Sequence, residues 1–127
     1  MDVRSIEGVP MVPMHQGTTP VWYLWEPREL REATLGGYIE LAGEFVVEAG
    51  GRVQPHSHHT HEFYYVLGGR AIMTIEDDER EVVPGDMIHI PPDNVHSIRP
   101  LSPNASIRCF VIAFGLADTP EIDYAVN

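Results

Sequence analysis

The sequence contains no lysine, because all eight of its basic residues are arginines. Lysine Schiff-base chemistry and a phosphate-binding P-loop are therefore excluded. Nineteen acidic residues outnumber the arginines and give a formal net charge of -11. This charge argues against a nucleic-acid partner and against binding to anionic membrane surfaces, since both require a basic protein surface.

Cysteines and long apolar runs are also scarce. Cys109 is the only cysteine, so we expect no internal disulfide and no zinc cluster built from several thiolates. No stretch is apolar for long enough to form a signal peptide or a membrane-spanning helix, so we expect a soluble cytoplasmic protein with no membrane partner. A chain of 127 residues, 43% of them hydrophobic, has the size and composition of a single globular domain.

Glycine and proline, in contrast, are frequent, with eleven of each. They divide the chain into short segments, and strand patterns follow one another from residue 38 onward, including a hairpin pattern at 70–85. Only residues 26–34 show a helical pattern, which is brief and charged. We therefore predict an all-β fold, an antiparallel sandwich or barrel at residues 36–127 with its core at about 40–115, preceded by an N-terminal arm at 1–35.

Four of the seven histidines lie in the short segment 56–61, directly before a glutamate. Residues two apart in a strand share a face, so His56, His58 and Glu62 are predicted to face the same way. Two imidazoles and a carboxylate on one face form a ligand set suited to iron(II) and related divalent ions. A fourth ligand must come from another strand. His96, just after a turn, is the natural candidate, and His89 competes with it.

The other histidines have weaker support as ligands. His59 and His61 have the opposite strand parity, so we expect them to be exposed or to lie behind the ligands. A bulge before Glu62 would turn His61 inward as an alternative ligand. His15 lies in an irregular N-terminal segment and has no positional support.

Residues 50–69 resemble the first sequence motif of the cupin superfamily. The motif G-x5-H-x-H-x3-4-E-x6-G is matched at every fixed position by Gly50, His56, His58, Glu62 and Gly69. A second cupin motif, G-x5-P-x-G-x2-H-x3-N, is matched by Gly85, Pro91 and His96. Asp93 and Pro100 stand where this second motif has glycine and asparagine.

This resemblance, which covers about residues 40–115, implies a small single-domain jelly-roll barrel, that is, an antiparallel double-stranded β-helix. It also implies one divalent transition metal ion (Fe, Mn, Ni, Co or Zn) held by His56, His58, Glu62 and His96. We expect dioxygenase- or isomerase-type chemistry on a small polar or anionic metabolite, and the resemblance also allows decarboxylases and lyases. The alternative is a cupin that binds a sugar or another small molecule without turnover.

Strand parity indicates three further residues of the cavity. Arg52 would hold a substrate carboxylate, Gln54 would hydrogen-bond a substrate oxygen, and Tyr64 would donate a hydrogen bond or act as acid and base. Arg52 fits an exposed position at the barrel mouth equally well, and Tyr64 fits a place in the core.

Large apolar residues are too numerous to face one cavity, namely Phe45, Phe63, Tyr65, Phe110 and Phe114. An exposed apolar patch of this size is unusual for a monomer, so we predict a homodimer that buries the outer strand faces. The N-terminal segment with Trp22, Tyr23 and Trp25 would take part in the interface or line the entrance of the pocket. The alternative is that residues 1–35 fold back over their own barrel.

Overall fold

The computed structural model describes residues 6–26 and 39–116, and every regular element within these ranges is a β-strand. The strands are β1 (Met11–Met14), β2 (Thr19–Trp25), β3 (Ile39–Val47), β4 (Val53–His56), β5 (Thr60–Gly68), β6 (Ala71–Ile75), β7 (Asp78–Val82), β8 (Met87–Ile90), β9 (His96–Pro100) and β10 (Ile107–Gly115). No helix in this part of the chain is long and apolar enough to cross a membrane. The helical segment expected at residues 26–34 lies outside the described residues, apart from Glu26.

The strands form two antiparallel sheets. The larger sheet has the order β1-β2-β3-β10-β5-β8, and the smaller has the order β4-β9-β6-β7. From β3 onward the chain passes repeatedly from one sheet to the other, as in a double-stranded β-helix. The predicted all-β fold and its jelly-roll-like architecture are confirmed.

The core lies between the sheets and is built by strict alternation along the strands. In β10 every second residue is buried, from Ile107 to Gly115, and β5 shows the same alternation up to Val66. Phe45 and Tyr64 meet in this core with their rings edge to face and their centroids 4.8 Å apart. Phe45, one of the five large apolar residues that were predicted to be too numerous for the cavity, therefore faces inward.

The remaining members of that surplus lie on the outer face of the larger sheet. Phe63, Phe110 and Phe114 are half-buried there, and the exposed fractions of Tyr65 and Leu67 are 37% and 44%. Phe63 and Phe114 contact each other edge to face, with ring centroids 6.0 Å apart. The larger sheet thus has an apolar outer surface as well as an apolar inner one.

The N-terminal residues form part of the same sheet. β1 and β2 pair as a hairpin, and β2 pairs with β3, where Val21 lies opposite Phe45. Residues 11–25 lie in the segment expected to be an arm, and the structure places them as two strands that extend the larger sheet. Their inward side chains are therefore available to the space between the sheets.

The glycines of the two motifs have backbone conformations that other residues adopt with difficulty. The φ angles of Gly50, Gly69 and Gly85 are 79°, 80° and 96°. Asp93, which replaces the glycine of the second motif, has a φ of 64°. Asp is one of the few residues that tolerates this left-handed region, so the departure from the motif preserves the shape of the turn.

We expect Gly69→Ala to destabilise the barrel more than Gly50→Ala does. A methyl group at Gly69 would overlap the Ser106 carbonyl oxygen, whereas one at Gly50 would meet no atom within 4 Å. Gly50→Ala should lower the free energy of unfolding by about 1 kcal/mol through backbone strain alone, and Gly69→Ala by about 2 kcal/mol or more. Urea unfolding of both variants measures the difference. Equal losses would show that the overlap with Ser106 is relieved without cost.

Candidate metal centre

The smaller sheet places two histidines directly opposite each other on neighbouring strands. His56 ends β4, His96 begins β9, and the two are direct partners across the strand pair, with ring centroids 4.3 Å apart. His58 follows in the link after β4, and its ring centroid lies 4.7 Å from that of His56. One ligand nitrogen from each of the three histidines lies within 4.8 Å of the other two. We call these three residues the histidine triad.

Backbone carbonyls fix the tautomers of two triad members. His56 Nδ1 donates a hydrogen bond to the Gln54 carbonyl at 2.6 Å, and His96 Nδ1 donates to the Asn94 carbonyl at 3.0 Å. With the proton on Nδ1, Nε2 of each neutral ring carries a lone pair.

Nε2 of His96 is buried and has no hydrogen-bond partner within the described ranges. Leaving such an atom unpaired is costly, and a bound cation would satisfy it. The donor set therefore fits a divalent metal ion.

Burial also keeps His56 and His96 uncharged. Burial, together with the neighbouring His96, lowers the pKa of His56 to about 3. The pKa of His96 is lowered too, chiefly by burial, although the charge of Glu62 and the Asn94 carbonyl act in the opposite direction. Both rings are thus neutral at pH 7, the form in which imidazole binds metals.

Glu62 reaches the triad from the opposite sheet. Its side chain is buried on the inner face of β5, and Oε1 lies 3.9 Å from His96 Nε2. Two donors that are each about 2.1 Å from a shared ion lie at most about 4.2 Å apart, so this separation is compatible with a common ion. The structure thus brings all four residues of the predicted ligand set to one place, with the three histidines in the tightest group.

His56, His58 and Glu62 line a cavity of about 470 Å³ between the sheets. Gln54 and Tyr64, both predicted from strand parity, line this cavity. Most of the remaining wall is apolar, including Val21, Leu41, Phe45, Val53 and Val111. A volume of this size accommodates a small organic molecule.

Arg52 does not line the cavity. It is exposed, and its Nη2 donates a hydrogen bond to Ser97 Oγ at 3.3 Å. The register of β4 shifts between Val53 and His56, so both of these residues contribute to the inner face although they are three positions apart. The two-residue step that was expected to carry Arg52 inward is therefore interrupted by a bulge.

The histidines of opposite parity lie away from the cavity. His59 Nδ1 is 2.9 Å from the Asp93 carboxylate. His61 Nδ1 is 2.9 Å from His89 Nε2, and the His89 ring stacks on Phe63 at the outer face of the larger sheet. His89, considered as a fourth ligand, is therefore not near the triad.

His15 is a residue of the site that the sequence did not indicate. It lies in the turn between β1 and β2 and lines the cavity, and its ring centroid is 5.1 Å from that of His56. Its Nδ1 accepts a hydrogen bond from the Gln54 backbone N–H at 3.1 Å. Its pKa is lowered chiefly by burial and then by His58 and His96.

Tyr23, expected at the interface or at a pocket entrance, also lines the cavity. Its pKa is raised chiefly by burial and then by the charges of Glu62 and Glu26. The alternation of residues 19–25 in the sequence TPVWYLW is the signal that places Tyr23 inward, once this segment is identified as a strand. His15 has no comparable signal, because it lies in a turn.

The fold, the triad and the cavity all agree with one family. Residues 43–112, more than half of the chain, match the cupin domain family. The chain belongs to the cupin family. The two motifs span β4, β5, β8 and β9 of this cupin, and with them the triad and Glu62.

Two known proteins, one of them an enzyme, are similar in sequence to part of this cupin. Over 63 residues the chain is 36% identical to the quercetin 2,3-dioxygenase of Bacillus subtilis, a match that covers 45% of this chain and 19% of that enzyme. It is 40% identical over 63 residues to an uncharacterised protein of Methanocaldococcus jannaschii, covering 49% of this chain and 50% of that protein. The matched part therefore spans about half or less of either relative.

A solved structure shows the same fold over nearly the whole chain. The crystal structure of a predicted oxalate decarboxylase from Thermotoga maritima superposes with a TM-score of 0.75, at 19% identity, and covers 90% of this chain and 99% of that one. At this level of identity the likeness concerns the fold alone.

Two adjacent histidines provide a matched test of the metal site. We expect His58→Ala to weaken binding of Co²⁺ or Zn²⁺ at least about 100-fold, since it removes a ligand from the triad. His59→Ala should leave the affinity unchanged, because His59 contacts Asp93 and does not line the cavity. Calorimetric titration of metal into the stripped proteins measures both affinities. Equal affinities for the two variants would contradict the assignment.

Proposed function

We propose that this cupin is a metal-dependent enzyme with dioxygenase- or isomerase-type chemistry on a small oxygen-bearing metabolite. The observation that carries the proposal is the buried, unpartnered Nε2 of His96 inside a group of three histidines beside a cavity. A protein that only captures a sugar has no need of such a donor set. The similarity to a dioxygenase supports oxidative chemistry, although the match covers only 19% of that enzyme.

The proposed cofactor is one divalent transition metal ion, with Fe, Mn, Ni, Co and Zn as candidates. His56, His58 and His96 would hold it together with Glu62, a mixture of imidazole and carboxylate donors that suits these ions. When bound, the ion would supply Lewis acidity to a carbonyl, carboxylate or enediol oxygen of the substrate.

The walls of the cavity favour a substrate with an apolar body and a polar end. Leu41, Phe45 and Val111 would pack against the body and exclude water from it. The described cavity wall contains no arginine, and Arg52, which was predicted to lie there, is exposed. An anionic group of the substrate would therefore be balanced by the cofactor and by neutral N–H and O–H donors.

Two tyrosines are placed to act on the polar end. Tyr23 keeps its proton at neutral pH, because burial and the charge of Glu62 raise its pKa, and it can therefore donate a hydrogen bond. Tyr64 lines the cavity beside the triad, and its ring centroid lies 6.3 Å from that of His96. We propose Tyr64 as the group that shuttles a proton to or from the substrate.

Oxygen uptake tests the proposed activity. Protein purified without added metal is analysed for its metal content, reloaded with each candidate ion, and screened with diketones, catechols and keto acids, while absorbance follows isomerisation. We expect turnover that depends on one of the ions and is lost in His58→Ala, because that variant lacks a triad ligand. Tight binding of metal and compound without turnover would contradict the enzymatic proposal and favour the alternative, a non-catalytic binding cupin.

We also propose that the protein is a homodimer that buries the outer face of the larger sheet. This face carries Phe63, Phe110 and Phe114, all half-buried, next to the exposed Tyr65 and Leu67. A patch of this kind is usually covered, and closed two-fold pairs are the commonest solution for globular chains.

Two leucines of nearly equal exposure test the dimer. Leu67 is 44% exposed on the apolar outer face, whereas Leu101 is 43% exposed after β9 of the smaller sheet. We expect Leu67→Glu to shift the particle toward the 14.2 kDa monomer and Leu101→Glu to leave the dimer intact. Light scattering at micromolar concentration measures the mass. A monomeric wild type would contradict the proposal.

A further inference from the structure

We infer that His15 is a fixed hydrogen-bond donor to the bound molecule, and that this donor selects ligands with an oxyanion, such as a phenolate, enolate or carboxylate, on an apolar body. The inference rests on the proposed metal-dependent function and adds a residue outside both cupin motifs. It places the donor on the hairpin turn, beside β4, which carries His56.

The backbone of Gln54 gives opposite tautomers to the two histidines beside it. Its carbonyl accepts the proton of His56 Nδ1 at 2.6 Å, which leaves the lone pair of His56 on Nε2. Its N–H donates to His15 Nδ1 at 3.1 Å, so the neutral His15 ring carries its proton on Nε2. The backbone of Gln54 thus leaves His56 with an Nε2 lone pair that a metal can accept and leaves His15 with an Nε2–H donor.

The turn holds His15 in a strained conformation. The φ angles of His15 and Gln16 are 51° and 63°, in the left-handed region that non-glycine residues rarely adopt. Thr18 stabilises the turn through its Oγ1, which lies 3.1 Å from the His15 carbonyl and 3.4 Å from the Arg52 carbonyl. Strain that is maintained by such contacts is typical of sites where a side chain must be aimed.

His15 is placed as a neighbour of the metal site and not as a ligand. Among the described residues, the histidines whose ligand atoms converge are His56, His58 and His96, and His15 is not one of them. Nδ1 of His15 is already bonded to Gln54, and its Nε2 carries the proton, so neither nitrogen offers a lone pair. The remaining function for a ring that lines the cavity is to donate from Nε2.

The chemistry of the cavity defines what this donor binds. A neutral N–H hydrogen-bonds an oxyanion more strongly than an uncharged oxygen. The described wall offers no cationic arginine to compete for that group, and its apolar residues surround the rest of the molecule. A phenolate or enolate on a ring-sized body meets both conditions.

Nitrogen NMR of the metal-free protein tests the tautomers directly. Long-range correlation between ring nitrogens and carbon-bound protons distinguishes Nδ1–H from Nε2–H histidines. We expect Nε2–H for His15 and Nδ1–H for His56 and His96 at pH 7. An Nδ1–H tautomer at His15 would overturn the inference, and this result needs neither a bound metal nor a variant.

Two variants separate the donor of His15 from its structural contact. The amide oxygen of Asn lies close to the position of Nδ1, so His15→Asn keeps an acceptor for the Gln54 N–H. Asn also tolerates the positive φ, but it has no donor at the position of Nε2. Gln extends its amide to the position of Nε2, so His15→Gln keeps a donor to the cavity.

The probe is 4-nitrocatechol, a coloured aromatic diol, titrated into Co²⁺-loaded protein. We expect His15→Asn to weaken its binding about tenfold or more and His15→Gln to stay closer to the wild type. Affinity for Co²⁺ itself should be unchanged in both variants, and thermal unfolding confirms that they fold.

The outcomes distinguish this inference from the proposed function. If His15→Asn binds the probe as the wild type does, or if both variants lose Co²⁺, then His15 is not the donor and the inference is overturned. Loaded wild type that does not bind 4-nitrocatechol overturns the ligand class. A wild type that binds no metal overturns the proposed function as well.

Discussion

The need to keep several imidazole rings uncharged inside a small barrel determines most of this structure. The space between the sheets is lined mostly by apolar side chains, so a protonated histidine there would carry a high cost, and burial accordingly lowers the pKa of His56 to about 3. A neutral ring still needs partners for both nitrogens. Backbone carbonyls two residues upstream satisfy Nδ1 of His56 and of His96, and this leaves the lone pair of each ring on Nε2.

Much of this arrangement could be predicted from the sequence, because the cupin motifs encode it locally. The spacing of His56, His58 and Glu62 gave the shared face, and the alternation in β5 and β10 gave the two-sided sheet. The position of Gly69 is explained by its positive φ and by the close approach of the Ser106 carbonyl. Asp93 shows that the turn requires a backbone conformation and not a particular residue, since its φ of 64° reproduces the geometry of the missing glycine.

The rest depended on contacts that no local pattern reports. Strict alternation over residues 52–56 predicts that Arg52 faces the cavity. The bulge between Val53 and His56 interrupts this alternation, so the Arg52 side chain lies outside the cavity. Phe45 is one of the predicted surplus residues, but it lies on the inner face of β3, where its ring contacts that of Tyr64 from β5. His15 could not be found at all, since only the docking of the hairpin turn on Gln54 brings residues 39 positions apart into contact.

The hairpin of β1 and β2 has a consequence for how this protein can change over evolutionary time. It contributes Val21 and Tyr23 to the cavity, yet it lies entirely outside residues 43–112, which carry both motifs. Part of the cavity's shape is therefore encoded apart from the histidine triad. Substitutions in residues 11–25 can alter which molecules fit while the coordinating strands stay intact. The shape of the cavity can then change without passing through an intermediate that has lost the histidine triad.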